Sequence, residues 1–183
     1  MDVKFGNKSQ EAAIREEYRR IDEKWLKMQC QLMLFLMVIT DAAQVFMYFA
    51  LRALQVDFAS AGVYFTKYVL VPLVIDAGLW LSARQALHSG MTNRKKAYTV
   101  SLLMAAMAFV VYTVHSVFPA VFAVFIIPML ATVIYGDQKL TRAVAAACLL
   151  EKIVSDLFIF WDPARPSVLQ STDSTVNFGL SLV

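Results

Sequence analysis

Between Lys96 and Asp137 the chain contains no Lys, Arg, Asp or Glu. As one helix that stretch would run about 60 Å, twice the roughly 30 Å hydrocarbon core of a bilayer, so it has to double back. Pro119, preceded by Ser116 and Phe118, marks the hairpin and predicts two spans, over residues 97–117 and 120–135. Composition agrees with this reading, because 59% of the 183 residues are hydrophobic and only 17% charged, against about 25% charged in soluble domains. The sequence therefore reads as an all-α polytopic membrane helix bundle whose partner is the lipid bilayer, with no room for a large soluble enzyme.

Three further spans follow from the same arithmetic. Residues 28–54 are apolar apart from Asp41 and Arg52, residues 63–83 carry Lys67, Pro72 and Asp76, and residues 140–161 end at Asp162-Pro163 and Pro166. Pro72 is placed to kink its helix. The C-terminal residues 162–183 read as an extracytoplasmic loop that ends in an apolar run, Val176 to Val183, too short to cross alone and read as the start of a truncated sixth span. Before the first span, Ile14, Tyr18, Ile21, Trp25 and Met28 recur at spacings of four and three, so residues 1–27 predict a cytoplasmic amphipathic helix. Two readings fit that helix: it lies on the membrane surface through its basic and aromatic residues, or it pairs with a second copy as a short coil, giving a homodimer. It lacks the apolar core and small-residue cleavage site of a signal peptide.

Orientation follows from Lys and Arg. Seven precede Met28, four lie in residues 84–96 and two in residues 136–142, whereas the opposite side has Arg52, Lys67 and Arg165. The positive-inside rule places the N-terminus in the cytoplasm. The same rule explains the basic residues without nucleic acid.

The motif inventory excludes several chemistries. Six glycines form no GxGxxG or P-loop run, and Cys30 and Cys148 both lie in apolar segments, so no nucleotide loop, disulfide framework or CxxC site is indicated. HExxH and a pair of histidines at helical spacing are absent, which leaves no metal site, no catalytic residue and no cofactor to assign.

Ionisable groups at the centre of a membrane helix cost about 2.5 to 3.5 kcal/mol, so each is a functional candidate. Asp41, Gln44 and Tyr48 share one helical stripe, and Lys152 stands four residues before Asp156, as an ion pair requires. Asp41 and Glu151 fall near mid-depth, His115 and Asp156 toward the outer side, and Asp76 nearer the inner half. A pocket open to the outside, lined by Asp41, Gln44, Tyr48, His115, Glu151 and Asp156, would bind a small ligand. The alternative is interhelical glue, worth about 0.6 kcal/mol per contact.

One run, Ile126-Ile127-Pro128-Met129-Leu130 through Ile134-Tyr135-Gly136-Asp137-Gln138-Lys139-Leu140-Thr141-Arg142, resembles the inner loop of bacterial six-helix sensory regions that precede GGDEF diguanylate cyclase domains. In that group a proline-containing span ends in a Tyr-x-Asp-x-Lys/Arg-Leu turn and the next span opens on Thr or Ser. The resemblance implies a multi-pass sensory module of a bacterial inner membrane that relays a ligand-driven change in packing to output domains. The chain departs from the group in carrying no GGDEF, EAL or HD motif, so catalysis would belong to a full-length parent. Two other classes stay open: a small transporter using Asp41, Asp76 and Glu151, and a structural assembly subunit.

Overall fold

The structure, a computed structural model, describes residues 3–54, 60–114 and 119–160. Every regular element among them is helical. Helix α1 (Val3–Ala53) is one uninterrupted helix. No Gly or Pro occurs between Gly6 and Gly62, so nothing in the sequence breaks it where the polar segment meets the apolar one. The boundary expected after residue 27 is therefore a change of surface along a single helix, not a change of element.

Helix α2 (Ala61–His88) contains a π-helical turn, Thr66–Leu70, immediately before Pro72. Pro72 has no N–H to give the carbonyl of Tyr68 and its ring crowds that carbonyl. The strain is taken up by a wider turn in which the Val71 N–H donates to the Thr66 carbonyl. Helix α3 (Asn93–Val114) follows a short link. Its buried residues Val100, Met104, Ala105, Met107 and Ala108 form the centre of the core, because α3 packs against each of the other four helices. A 3₁₀ segment, Pro119–Phe125, leads into the short α4 (Ile126–Val133), and α5 (Gln138–Leu157) with one further 3₁₀ turn, Phe158–Phe160, is the last described element. The span expected over 120–135 is thus part 3₁₀ and part α rather than one regular helix.

Among the described residues three helices are long and apolar enough to cross a membrane: Gln10–Ala53 within α1, Ala61–His88 and Asn93–Val114. Helix α5 has the length, but Glu151, Lys152 and Asp156 crowd its last two turns. Large apolar side chains also cover the outside, among them Phe35, Phe46, Phe49, Val74, Leu130, Leu149 and Leu150. Such a surface fits a membrane protein. The expected sixth-span start, residues 162–183, and His115 lie outside the described residues.

Candidate functional site

On α1, Leu26, Gln29, Cys30, Met33, Met37, Gln44 and Tyr48 are buried along one helical face, so the polar stripe read from the sequence is the continuation of the core face. Opposite it on α2, the Tyr64 hydroxyl donates to Gln44, 2.9 Å from Oε1 and 3.1 Å from its backbone oxygen. The ring of Tyr48 packs against Tyr64 and Phe65, with centroids 5.2 and 4.8 Å away. Cations border the cluster: the Arg52 guanidinium stands 6.0 Å from the Tyr48 ring and the Lys67 ammonium 5.2 Å from that of Tyr68. Further along these two helices lie Asp41 on α1 and Asp76 on α2. Asp76 is 2% exposed and its Oδ1 has no hydrogen-bond partner among the described residues.

A second polar cluster joins α3 to α5. Asp156 accepts from the Tyr112 hydroxyl and from Lys152 Nζ, each at 2.9 Å, so the expected ion pair is formed and its carboxylate is fully engaged. Beside it the hydroxyls of Thr113 and Ser155 are hydrogen-bonded at 2.8 Å. Glu151 lies one turn away with Oε2 buried and without a partner among the described residues. The residues expected to line one pocket are therefore distributed over two helix pairs: Asp41, Gln44 and Tyr48 at α1–α2, Glu151 and Asp156 on α5 against α3. What singles out Asp76 and Glu151 chemically is a carboxyl oxygen held in an apolar interior without a donor, a costly state that a proton, a cation or a repacking would relieve.

Sequence reasoning missed the polar network at the other end of the bundle. The Ala131 carbonyl, in the last turn of α4, has no helical donor. Trp25 Nε1 and Gln29 Nε2 reach it from α1 at 2.8 and 3.2 Å, and the Tyr135 hydroxyl donates to Gln29 Oε1 at 2.9 Å. Gln29 is on the same face as Met33 and Met37, and that phase was the signal available. The Tyr135-Gly136-Asp137 turn has a structural role: Gly136 takes a φ of 61°, and Asp137 Oδ1 accepts the backbone N–H groups of Lys139 and Leu140 at the start of α5. Arg94 pairs with Asp137 at 3.1 Å. Desolvation alone would raise this carboxyl, but the backbone donors and Arg94 together outweigh it and hold Asp137 below the usual Asp range.

Cys30 and Cys148 are buried free thiols, and no group of three His, Cys, Asp or Glu side chains suited to a metal occurs among the described residues. Comparison of the chain with models of protein families, with curated proteins and with solved structures finds no match.

Proposed function

We propose that the chain is a membrane-embedded sensory and signal-transduction module, of the kind that stands before a diguanylate cyclase-like output domain in a bacterial inner membrane. The observation that carries this reading is the continuity of α1. The helix holds Asp41, Gln44 and Tyr48 at one end and, at the other, a stripe of Ile14, Tyr18 and Ile21 that is 53%, 67% and 48% exposed. A helix without Pro, Gly or a π turn does not bend sharply, so a shift in packing around Asp41 arrives at Ile14, about 40 Å away, as a movement of the whole rod. The stripe's alternating spacing of four and three is a coiled-coil seam, and a second copy is its natural partner. A ligand acts by favouring one of two packings of the α1–α2 and α3–α5 interfaces, and it shifts them only by its difference in affinity.

In this frame α1, α2, α3 and α5 cross the bilayer, with the N-terminus inside. The 3₁₀ and α segments from Pro119 to Val133 together rise about 26 Å, close to the hydrocarbon thickness, because the 3₁₀ turns gain about 2 Å per residue. Near the end of α5, Lys152 and Asp156 are directed at Tyr112 of α3 rather than at lipid.

The test is oxidative cross-linking of the full chain in membranes. Ile14→Cys is expected to form disulfide-linked dimers faster than Ala12→Cys on another face, and Asp76→Asn or Glu151→Gln to change the Ile14→Cys rate several-fold. Equal rates at positions 12 and 14, or an Ile14→Cys rate untouched by both carboxyl variants, would contradict the proposal. A proton or cation carrier is the second reading, favoured by the buried Asp76, whose Oδ1 has no hydrogen-bond partner among the described residues. Proton flux into vesicles that is abolished by Asp76→Asn would select it.

A further inference from the structure

The end of the α1–α2 interface near the turn at residues 89–92 contains a cavity of about 520 Å³, within the range of small-molecule sites. Its rim is basic: Lys27 from α1, Arg84 and His88 from α2, and Lys96 from α3 line it, with Glu23 the one acidic side chain. Its wall is apolar, with Leu34 and Trp80 among the lining residues. The Arg84 guanidinium lies over the Trp80 ring at 5.5 Å, so the cation sits where the apolar wall meets the rim. A second hollow of about 420 Å³ shares Arg84 and His88 and continues the surface around α2.

Two of the last carbonyls of α2 already have donors, one of them Lys96, whose ammonium keeps its charge and two further N–H groups. Ser89 Oγ donates to the Ala86 carbonyl at 2.6 Å and Lys96 Nζ to the Leu87 carbonyl at 2.7 Å. Three permanent cations facing one acid leave an excess of positive charge in a concave site, which an anion relieves. A small soluble anion would use the rim and leave the apolar wall idle. An amphiphile uses both, with its phosphate among Lys27, Arg84 and Lys96 and an acyl chain along Trp80 and Leu34 toward the exposed apolar face of α1.

We infer that this groove holds the headgroup of one anionic phospholipid of the inner leaflet. The inference rests on the membrane reading above, which puts residues 84–96 at the inner interface. It deepens that reading, because a lipid wedged between α1 and α2 couples the packing of the signalling helix to membrane composition.

The test uses the full chain reconstituted in phosphatidylcholine vesicles containing phosphatidylglycerol, extracted in mild detergent, with retained lipid counted by native mass spectrometry. One phosphatidylglycerol per chain is expected. A basic side chain near an anionic surface is worth about fivefold in affinity, so Lys27→Gln with Arg84→Gln should lower retention about 25-fold. Lys139→Gln with Arg142→Gln, the same charge change on exposed residues, should leave it unchanged, and Glu23→Gln should increase it without depending on the fold of the double variant. Equal loss in both double variants, no gain in Glu23→Gln, retention of phosphatidylcholine as readily as phosphatidylglycerol, or displacement by glycerol phosphate would each overturn the lipid site. Release of the unaltered chain from the vesicles by alkaline wash would overturn the membrane reading itself, whereas a chain that stays embedded and retains no phosphatidylglycerol overturns only the groove.

Discussion

Gln29 is 1% exposed in the apolar part of α1, and its amide ties that helix to Ala131 and Tyr135. Gln29→Leu deletes these bonds together and leaves the Tyr135 hydroxyl without its acceptor, so it should destabilise the bundle by about 1 to 3 kcal/mol. Tyr135→Phe removes one bond and leaves the Gln29 oxygen short of one donor, which should cost about 0.6 kcal/mol. Unfolding of the micellar protein by added sodium dodecyl sulfate measures both, and equal costs would contradict the view of Gln29 as the shared node. Residue periodicity made the phase of Asp41, Gln44 and Tyr48 legible, and i, i+4 spacing made Lys152–Asp156 legible. The partners Tyr64 and Tyr112 were not, since a tyrosine near a span end reads equally well as an interfacial aromatic. Which tyrosine meets which acceptor is decided by how helices are placed side by side, and helical phase alone does not contain that.

Elements were legible where local chemistry alone decides them. The absence of Gly and Pro from Gly6 to Gly62 specifies the continuous α1, yet hydropathy divides the same stretch at residue 28 because it sees surface and not backbone. Pro72 pointed to an irregularity in α2, but its form, a π turn from Thr66 to Leu70 rather than a simple kink, depends on how the rest of the helix is held. That turn rotates Tyr64 relative to the part of α2 beyond Pro72. With Pro72→Ala the backbone can return to α-helical register, turning the segment before it by about 100° and moving Tyr64 off Gln44. Disulfide trapping between Gln44→Cys and Tyr64→Cys should accordingly slow several-fold in the Pro72→Ala background. An unchanged rate would show that packing, not the proline, maintains the π turn. The segment after Pro119 was read as one helix from its apolar length, and the tighter 3₁₀ winding from Pro119 to Phe125 left no mark in the hydrophobic pattern.

At the scale of the molecule, α3 is the buried axis, and the apolar exteriors of α1 and α2 face outward. The bundle, the transmitting helix and the lipid groove all depend on one claim: the helices cross a bilayer with residues 84–96 and the N-terminus on the same, inner side. The direct measurement is labelling by an impermeant maleimide of single cysteines placed at Ser9, Ser60 and Gly90 of the full chain in intact cells, where the native Cys30 and Cys148 are buried. The account predicts that Ser60→Cys reacts in intact cells while Ser9→Cys and Gly90→Cys react only after lysis. Labelling of all three alike, or the reverse pattern, would contradict it.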